Sequence, residues 1–170
     1  MTFERITEPN RALVNEFVER HWFTITMIVR GKEIDMTKAD GFFLAEDGNI
    51  LGLVTYALYD DVLEIFSLDS LQKNRGIGTG LLEAAVQEAR EQGCSKVVLI
   101  TTNDNVDAMR FYQRRGFDMA RLFRNVMERS RQLKPEIPLI GEHGIALRHE
   151  IEFERALKAP VDTASGGEEA

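Results

Sequence analysis

The chain has 170 residues, of which 44% are apolar, 8% aromatic and 29% charged, and its formal net charge is −7. A chain of this length typically forms one domain with a substantial core, and this apolar fraction excludes a mostly disordered protein. The single cysteine, Cys94, excludes an internal disulfide, and the three histidines lie outside any zinc-type cysteine and histidine motif. We expect no metal site and no nucleic-acid partner, because the acidic balance repels phosphate and favours cationic partners.

The sequence also gives no sign of membrane attachment. No run reaches the roughly 18 apolar residues of a membrane span, and the N-terminus lacks the basic-then-apolar order of a secretory signal. We therefore expect a soluble, cytoplasmic protein.

Helical spacing of apolar residues at the N-terminus predicts an amphipathic helix over residues 7–22, with Pro9 in its first turn. Residues 23–38 have no clear period, and we interpret them as irregular chain that borders a pocket. Three short strands rich in β-branched and aromatic residues follow, separated by aspartate-containing turns, and these predict an antiparallel meander. The strands are predicted at residues 41–46, 50–59 and 62–68.

A βαβ unit is predicted next. The glycine-rich segment 72–80 opens a helix that runs to Gly93, and residues 96–101 read as a buried strand. A second helix is predicted over residues 103–115, ended by Gly116. Two strands joined through a helix form a parallel pair.

The pattern weakens beyond residue 117. A strand is predicted at 119–123, a short helix at 125–133, and a strand at 151–155 that closes the sheet. Residues 159–170 have the composition of a disordered tail, so the sequence predicts a single domain over residues 1–158.

The glycine-rich turn excludes two common phosphate-binding motifs. It is not a Walker A loop, because no Lys-Ser/Thr pair follows at the required position, and its G-x-G-x-G spacing does not fit the Rossmann G-x-G-x-x-G pattern. Backbone N–H groups at a helix N-terminus, with Lys73 and Arg75 beside them, nevertheless suit a pyrophosphate. The alternative is a tight turn whose glycines serve only packing.

A second segment, residues 105–117, strengthens the ligand interpretation. Ala108, Phe111, Tyr112 and Arg115 share one face of the predicted helix, and the small Ala108 lets a ligand approach closely. This helix and the glycine-rich turn are expected to flank one cleft at the ends of the parallel strands.

These two segments resemble the signature motifs of the GNAT superfamily of acetyl-CoA-dependent N-acetyltransferases. The family's Q/R-x-x-G-x-G/A motif is matched by residues 73–78, with Lys73 in place of Gln or Arg. Its N-x-x-A-x-x-F-Y-x-x-x-G-F motif is matched at every specified position, by Asn105, Ala108, Phe111, Tyr112, Gly116 and Phe117. The resemblance covers residues 41–123 and extends to the first helix.

The resemblance implies an α/β fold: a single GNAT-like domain with a mixed, mostly antiparallel sheet, a splayed central parallel strand pair and flanking helices. It implies acetyl-CoA as the acyl-donor cosubstrate, with pantetheine in the gap near Leu68. A homodimer is left open, since C-terminal strands pair or swap between subunits in this family. The expected cofactor-binding residues are Leu68, Lys73, Asn74, Arg75, Gly76, Ile77, Gly78, Thr79, Gly80, Asn105, Ala108, Phe111, Tyr112 and Arg115.

Two residues are candidates for catalysis. The resemblance implies that Tyr112 protonates the leaving CoA thiolate. Glu64 is the first candidate for the base that deprotonates the amine, because strand alternation places it on one face with Phe66 and Leu68, near the cleft. The weaker alternatives for the base are Asp35, Asp60, Asp61, Asp69, His143 and His149.

The resulting hypothesis is an N-acetyltransferase that moves the acetyl group of acetyl-CoA to a primary amine by direct attack in a ternary complex. The acidic surface favours a small cationic amine, and a peptide or protein amine stays open. Two alternatives without catalysis are an acyl-CoA-binding sensor and a nucleotide-binding module that uses the glycine-rich turn alone.

Overall fold

A seven-stranded mixed sheet organises the protein in a computed structural model, which describes residues 1–157. The strands of this sheet are β1 (Glu4–Arg5), β4 (Asp40–Glu46), β5 (Asn49–Tyr59), β6 (Val62–Ser70), β7 (Lys96–Thr102), β8 (Asp118–Phe123) and β9 (Glu150–Ala156). A separate hairpin consists of β2 (Thr26–Val29) and β3 (Lys32–Asp35). The helices are α1 (Arg11–Trp22), α2 (Ile77–Glu91), α3 (Val106–Gln113) and α4 (Val126–Leu133).

The order of the strands across the sheet is β1-β4-β5-β6-β7-β9-β8. All neighbouring pairs are antiparallel except β6 and β7, which α2 connects as a parallel pair. The predicted mixed sheet with a central parallel pair is therefore confirmed. The late strand β9 lies between β7 and β8, so it closes the sheet from within rather than at its edge.

Helices cover both faces of the sheet and bury two apolar clusters. The stripe of α2 that includes Leu81, Leu82 and Val86 is fully buried against β5, β6 and β7. In the second cluster, Val14 and Phe17 of α1 are buried against residues of β4 and β5. Each helix has its apolar residues three and four positions apart, so each presents one apolar side to the sheet.

The parallel pair β6 and β7 separates halfway along its length. Its paired residues run from Val62 with Lys96 to Ile65 with Leu99, and both strands continue beyond this point without pairing. A β-bulge on β6 lies at the same place: Tyr56 pairs with Ile65 and Thr55 with Ser67, so Phe66 is the extra residue. The expected splay of the central strands is thus present, and it opens a gap in the middle of the sheet.

The structure corrects the sequence interpretation of residues 23–38. They form the β2–β3 hairpin, whose turn residues Arg30 and Gly31 both have positive φ angles, 50° and 69°. Two consecutive left-handed residues form the tight turn that suits a twisted hairpin, and an arginine is an uncommon first residue there, which hides the signal. The expectation that this segment borders a pocket is confirmed.

Other differences are at element ends. The first helix begins at Arg11 after a short 3-10 turn, and the two-residue strand β1 carries no pattern that predicts it. The predicted domain end at residue 158 and the predicted tail 159–170 lie outside the described residues. No helix within residues 1–157 is long and apolar enough to cross a membrane.

Candidate active site

A cavity of about 330 Å³ occupies the gap between the separated strands. Residues 65–68 of β6 and 99–102 of β7 form two walls, and α3 forms a third. The hairpin β2–β3 and Trp22 at the end of α1 lie on the remaining side. We refer to this space as the reaction cavity. It is built from the central strands and from residues 23–38, whose structure the sequence did not predict.

The glycine-rich turn lies at the N-terminus of α2. Gly76 precedes the helix with a φ angle of 73°, and Asn74 is also left-handed at 63°. The first N–H groups of a helix have no intrahelical acceptor, so those of Ile77, Gly78 and Thr79 are available to an anion. A Cβ atom added at Gly78 would lie 3.7 Å from the Phe111 ring and from Ser70, which is ordinary van der Waals contact without a clash.

The two cations of this turn differ in their surroundings. The Arg75 guanidinium forms an ion pair with Glu46 at 2.8 Å and a hydrogen bond with the Gln72 side chain. Lys73 is exposed and forms no ion pair with any of residues 1–157. Lys73 is consequently the freer of the two to meet a ligand.

The second motif is attached directly to the first. Arg115 donates hydrogen bonds from Nη2 and Nε to Thr79 Oγ1, at 2.9 Å and 3.1 Å. Its guanidinium also lies 3.6 Å from the centre of the Phe111 ring, where the cation meets the negative face of the ring. These contacts fix the position of the start of α2 relative to α3.

Asn105 both caps α3 and faces the cavity. Its Oδ1 atom accepts a hydrogen bond from the N–H of Ala108 at 3.0 Å, which explains where the helix begins. The side chain also lines the reaction cavity, as does Ala108. The Nδ2 group of Asn105 is therefore the part of this residue that suits a ligand acceptor.

Aromatic contacts fix the ring of Tyr112, a residue that lines the reaction cavity. Ring centroids of Phe111 and Phe117 lie 5.2 Å and 5.8 Å away in edge-on arrangements. The hydroxyl forms no hydrogen bond with residues 1–157, and burial, followed by the charge of Asp69, raises its pKa above the usual value. The hydroxyl therefore keeps its proton at neutral pH, and its raised pKa makes it a weaker acid than a solvent-exposed tyrosine.

Glu64 has a different environment from the one predicted. It is 4% exposed, its carboxylate forms an ion pair with Arg30 at 2.7 Å, and it lines a second cavity of about 450 Å³. The predicted common face with Leu68 is wrong, because the bulge at Phe66 reverses the alternation between the two residues. The structure does not bring Glu64 together with Tyr112 in the reaction cavity.

A carboxylate that the sequence interpretation missed, Glu150, does line the reaction cavity with Tyr112. Its side chain at the start of β9 is 3% exposed and accepts a hydrogen bond from the backbone N–H of Arg30 at 3.0 Å. Burial raises the pKa of this carboxyl. The available signal was the alternation of Glu150, Glu152 and Glu154 in one strand, but only the tertiary fold shows which of them reaches the cavity.

The other candidate bases are not among the residues that line the reaction cavity, although Asp69 is close enough for its charge to act on Tyr112. Asp69 accepts a hydrogen bond from the Trp22 indole at 3.2 Å, and burial raises its pKa. Asp35 accepts hydrogen bonds from Thr37. His149 Nδ1 accepts the N–H of Asn125 at 2.8 Å, which is a structural contact. The remaining candidates, Asp60, Asp61 and His143, are exposed.

A third, apolar cavity of about 180 Å³ adjoins the reaction cavity, and we refer to it as the apolar cavity. Trp22, Met27 and Ile28 line both spaces. The apolar cavity is completed by Val18, Thr24, Thr26, Met36, Lys134 and Ile137. It lies between the end of α1, the hairpin and the loop after α4.

Comparisons with known proteins agree with this geometry. The model of the acetyltransferase (GNAT) family matches residues 8–117. The uncharacterized protein YxbD of Bacillus subtilis (strain 168) is 44% identical over 140 residues, which are 82% of this chain and 88% of that protein. The spermine/spermidine N(1)-acetyltransferase of the same strain is 24% identical over 137 residues, covering 69% of this chain and 87% of that protein.

Solved structures share the fold. A GNAT family acetyltransferase from Elizabethkingia anophelis with acetyl-CoA bound superposes with a TM-score of 0.65, over 92% of this chain and 97% of that chain, at 19% identity. The family model covers well over half of the chain, and Asn105, Ala108 and Tyr112 of the second signature motif line the reaction cavity. The chain belongs to the acetyltransferase (GNAT) family.

Proposed function

We propose that the protein transfers the acetyl group of acetyl-CoA to the primary amine of a small cationic acceptor, by direct attack in a ternary complex. The observation that carries this proposal is the reaction cavity itself. It joins the gap between β6 and β7 to the face of α3 that presents the unpaired Tyr112 hydroxyl.

Acetyl-CoA would bind along the two motifs. Its pyrophosphate would meet the free N–H groups at the start of α2, with Lys73 and Arg75 at the rim. Its pantetheine arm would enter the gap beside Leu68 and reach the Asn105 amide. The bound acetyl-CoA in the Elizabethkingia anophelis relative supports this donor.

The acceptor amine must lose a proton before it can attack. With a reference pKa near 10.4, roughly one lysine-like amine in a few thousand is neutral at pH 7. We propose Glu150 as the base in place of Glu64, because Glu150 lines the same cavity as Tyr112, whereas Glu64 lines a different one and forms an ion pair with the Arg30 guanidinium.

The proposed steps balance in protons and electrons. The ammonium gives a proton to Glu150, and the neutral nitrogen attacks the thioester carbonyl carbon. The C–S bond then breaks with its electron pair on sulfur, and Tyr112 protonates the thiolate. The tyrosinate regains a proton from the acetylated nitrogen, and Glu150 releases its own to solvent, which leaves the amide and free CoA.

The test is thiol release from acetyl-CoA with a panel of amines, amino acids and basic peptides, together with calorimetric titration of CoA. We expect CoA binding and turnover on at least one amine. Tight CoA binding without turnover on any amine would favour the alternative of an acyl-CoA sensor. Absence of CoA binding would contradict the proposal altogether.

A further inference from the structure

The charges around the reaction cavity limit what else an acceptor can carry. Glu150 is the one carboxylate among the residues 1–157 that line this cavity. Asp69, whose charge acts on Tyr112, does not line it and already accepts a hydrogen bond from the Trp22 indole at 3.2 Å. The one lining carboxylate matches one ammonium group, the group that reacts. A second positive charge on the acceptor would need a partner in one of the neighbouring spaces.

The cavity that contains Glu64 offers no such partner. Four cationic side chains line it, against two carboxylates. Both carboxylates are already paired: Glu64 with Arg30 at 2.7 Å, and Glu152 with Arg121 at 3.4 Å. Lys96 is paired with Glu154 at 3.2 Å, so Lys32 is the one lining cation with no ion pair among residues 1–157, and an additional ammonium would meet its charge there.

The apolar cavity is equally unsuited to a cation but well suited to hydrocarbon. Met36 and Val18 are buried in its wall, and Lys134 is its one charged lining residue within residues 1–157. Placing an unpaired ammonium there would cost desolvation and repulsion from Lys134. Apolar cavities of about 150 Å³ hold benzene-sized groups, so 180 Å³ accommodates a short alkyl chain or one ring.

We propose that the acceptor is a monoamine bearing a compact apolar group, with its ammonium at Glu150 and its apolar group in the apolar cavity. This rests on the proposed acetyltransferase function and narrows its substrate class. Trp22, Met27 and Ile28 line both spaces, so the two lie side by side, and the acceptor would pass beside these residues to occupy both. Polyamines are then poor acceptors, although a relative is a spermine/spermidine N(1)-acetyltransferase.

The test compares hexylamine with 1,6-diaminohexane, which match in length and reacting group and differ in the second charge. We expect kcat/KM to be at least tenfold higher for hexylamine, and 2-phenylethylamine to be accepted as well. Equal rates, or a preference for the diamine, would overturn the inference and leave the proposed function intact. No turnover on any amine of the wider panel would overturn both.

A pair of variants tests the location of the apolar group. Ile137 lies in the loop after α4 and lines the apolar cavity, so Ile137→Asp adds a carboxylate there, and Ile137→Asn is the uncharged control of similar size. We expect only the aspartate variant to raise the diamine-to-hexylamine ratio of kcat/KM, by at least tenfold. CoA affinity should stay unchanged in both, which shows that the fold is retained. An unchanged ratio in Ile137→Asp would place the apolar group elsewhere and contradict the inference.

Discussion

Arg115 donates two hydrogen bonds to Thr79 Oγ1, and this contact joins the two signature segments across 36 positions of sequence. Thr79 belongs to the first turn of α2, where the pyrophosphate is proposed to bind, and Arg115 follows the end of α3, which carries Tyr112. The separation between the donor's phosphate end and the reacting end is therefore fixed partly by one side-chain pair.

Removing the Thr79 hydroxyl should loosen this connection. Thr79→Val keeps the side-chain shape but leaves the two Arg115 donors unpaired. We therefore expect the free energy of unfolding to fall by about 1 to 3 kcal/mol. CoA affinity should fall as well. Denaturant unfolding and calorimetry measure the two effects, and Thr79→Ser, which keeps the hydroxyl, should lie close to wild type. Identical behaviour of the valine and serine variants would show that the contact has no such role.

Gly78 should matter for the ligand more than for the fold. The contacts of a Cβ atom added there begin at 3.7 Å, which is ordinary van der Waals distance. We therefore expect Gly78→Ala to leave the melting temperature within about 2 °C of wild type, since the half-buried position accepts the methyl group without a clash. The methyl group would occupy the space that a pyrophosphate needs to approach the N–H groups, so the Kd for CoA should rise at least tenfold. An unchanged Kd would place the pyrophosphate elsewhere.

The motifs and the fold follow from sequence because each depends on local chemistry. Gly76 before α2 is required by its positive φ angle and Asn105 by the cap of α3, so these two positions are visible without a structure. The position of Glu64 depends instead on a bulge at Phe66, and one extra residue reverses which face each later side chain occupies. Period-two reasoning cannot detect such a shift.

The burial of Glu150 could not be predicted from the sequence either. Its burial results from β9 entering the sheet between β7 and β8, and from a hairpin turn that places the Arg30 N–H on its carboxylate. Both partners are distant in sequence, 120 positions in the case of Arg30. Short-range patterns contain no information on contacts of this kind, which also define the apolar cavity.

Glu150→Gln should change the pH dependence of both activity and stability. Burial raises the pKa of this carboxyl, and the nearby Glu64 charge adds to the shift, while the Arg30 N–H and guanidinium oppose it. A base must be ionised, so kcat should fall as the pH drops through this raised pKa. The glutamine keeps an acceptor for the Arg30 N–H, and its residual rate should lack that acidic limb.

The stability change of the same variant has a defined sign. A carboxyl whose pKa is higher in the folded state binds more protons there, so the wild type loses stability as the pH rises from the ordinary carboxyl range through the raised pKa. The melting temperature of Glu150→Gln relative to wild type should therefore be higher at pH 7.5 than at pH 4. A pH-independent difference, with the acidic limb of kcat retained, would contradict the role of Glu150 as base.

Tyr112→Phe separates the chemical step from binding. The ring contacts with Phe111 and Phe117 do not involve the hydroxyl, so the variant should fold and bind CoA with wild-type affinity. Loss of the proton donor should reduce kcat by about 10²-fold or more, within the usual range for general acid catalysis. Thiol-release kinetics with the best acceptor and calorimetry with CoA measure these quantities.

The loss of kcat in Tyr112→Phe should depend on the leaving thiol, because a proton donor is needed only when the departing thiolate is basic. With a donor whose thiol is much more acidic than CoA, the deficit of Tyr112→Phe should shrink, since that thiolate leaves without a proton. If the deficit stays the same for both donors, Tyr112 acts in binding or orientation rather than as the acid. Because the pKa of Tyr112 is raised, the hydroxyl should stay protonated up to pH 10, the ordinary pKa of tyrosine. The kcat of the wild type should therefore show no decrease from deprotonation of Tyr112 up to that pH.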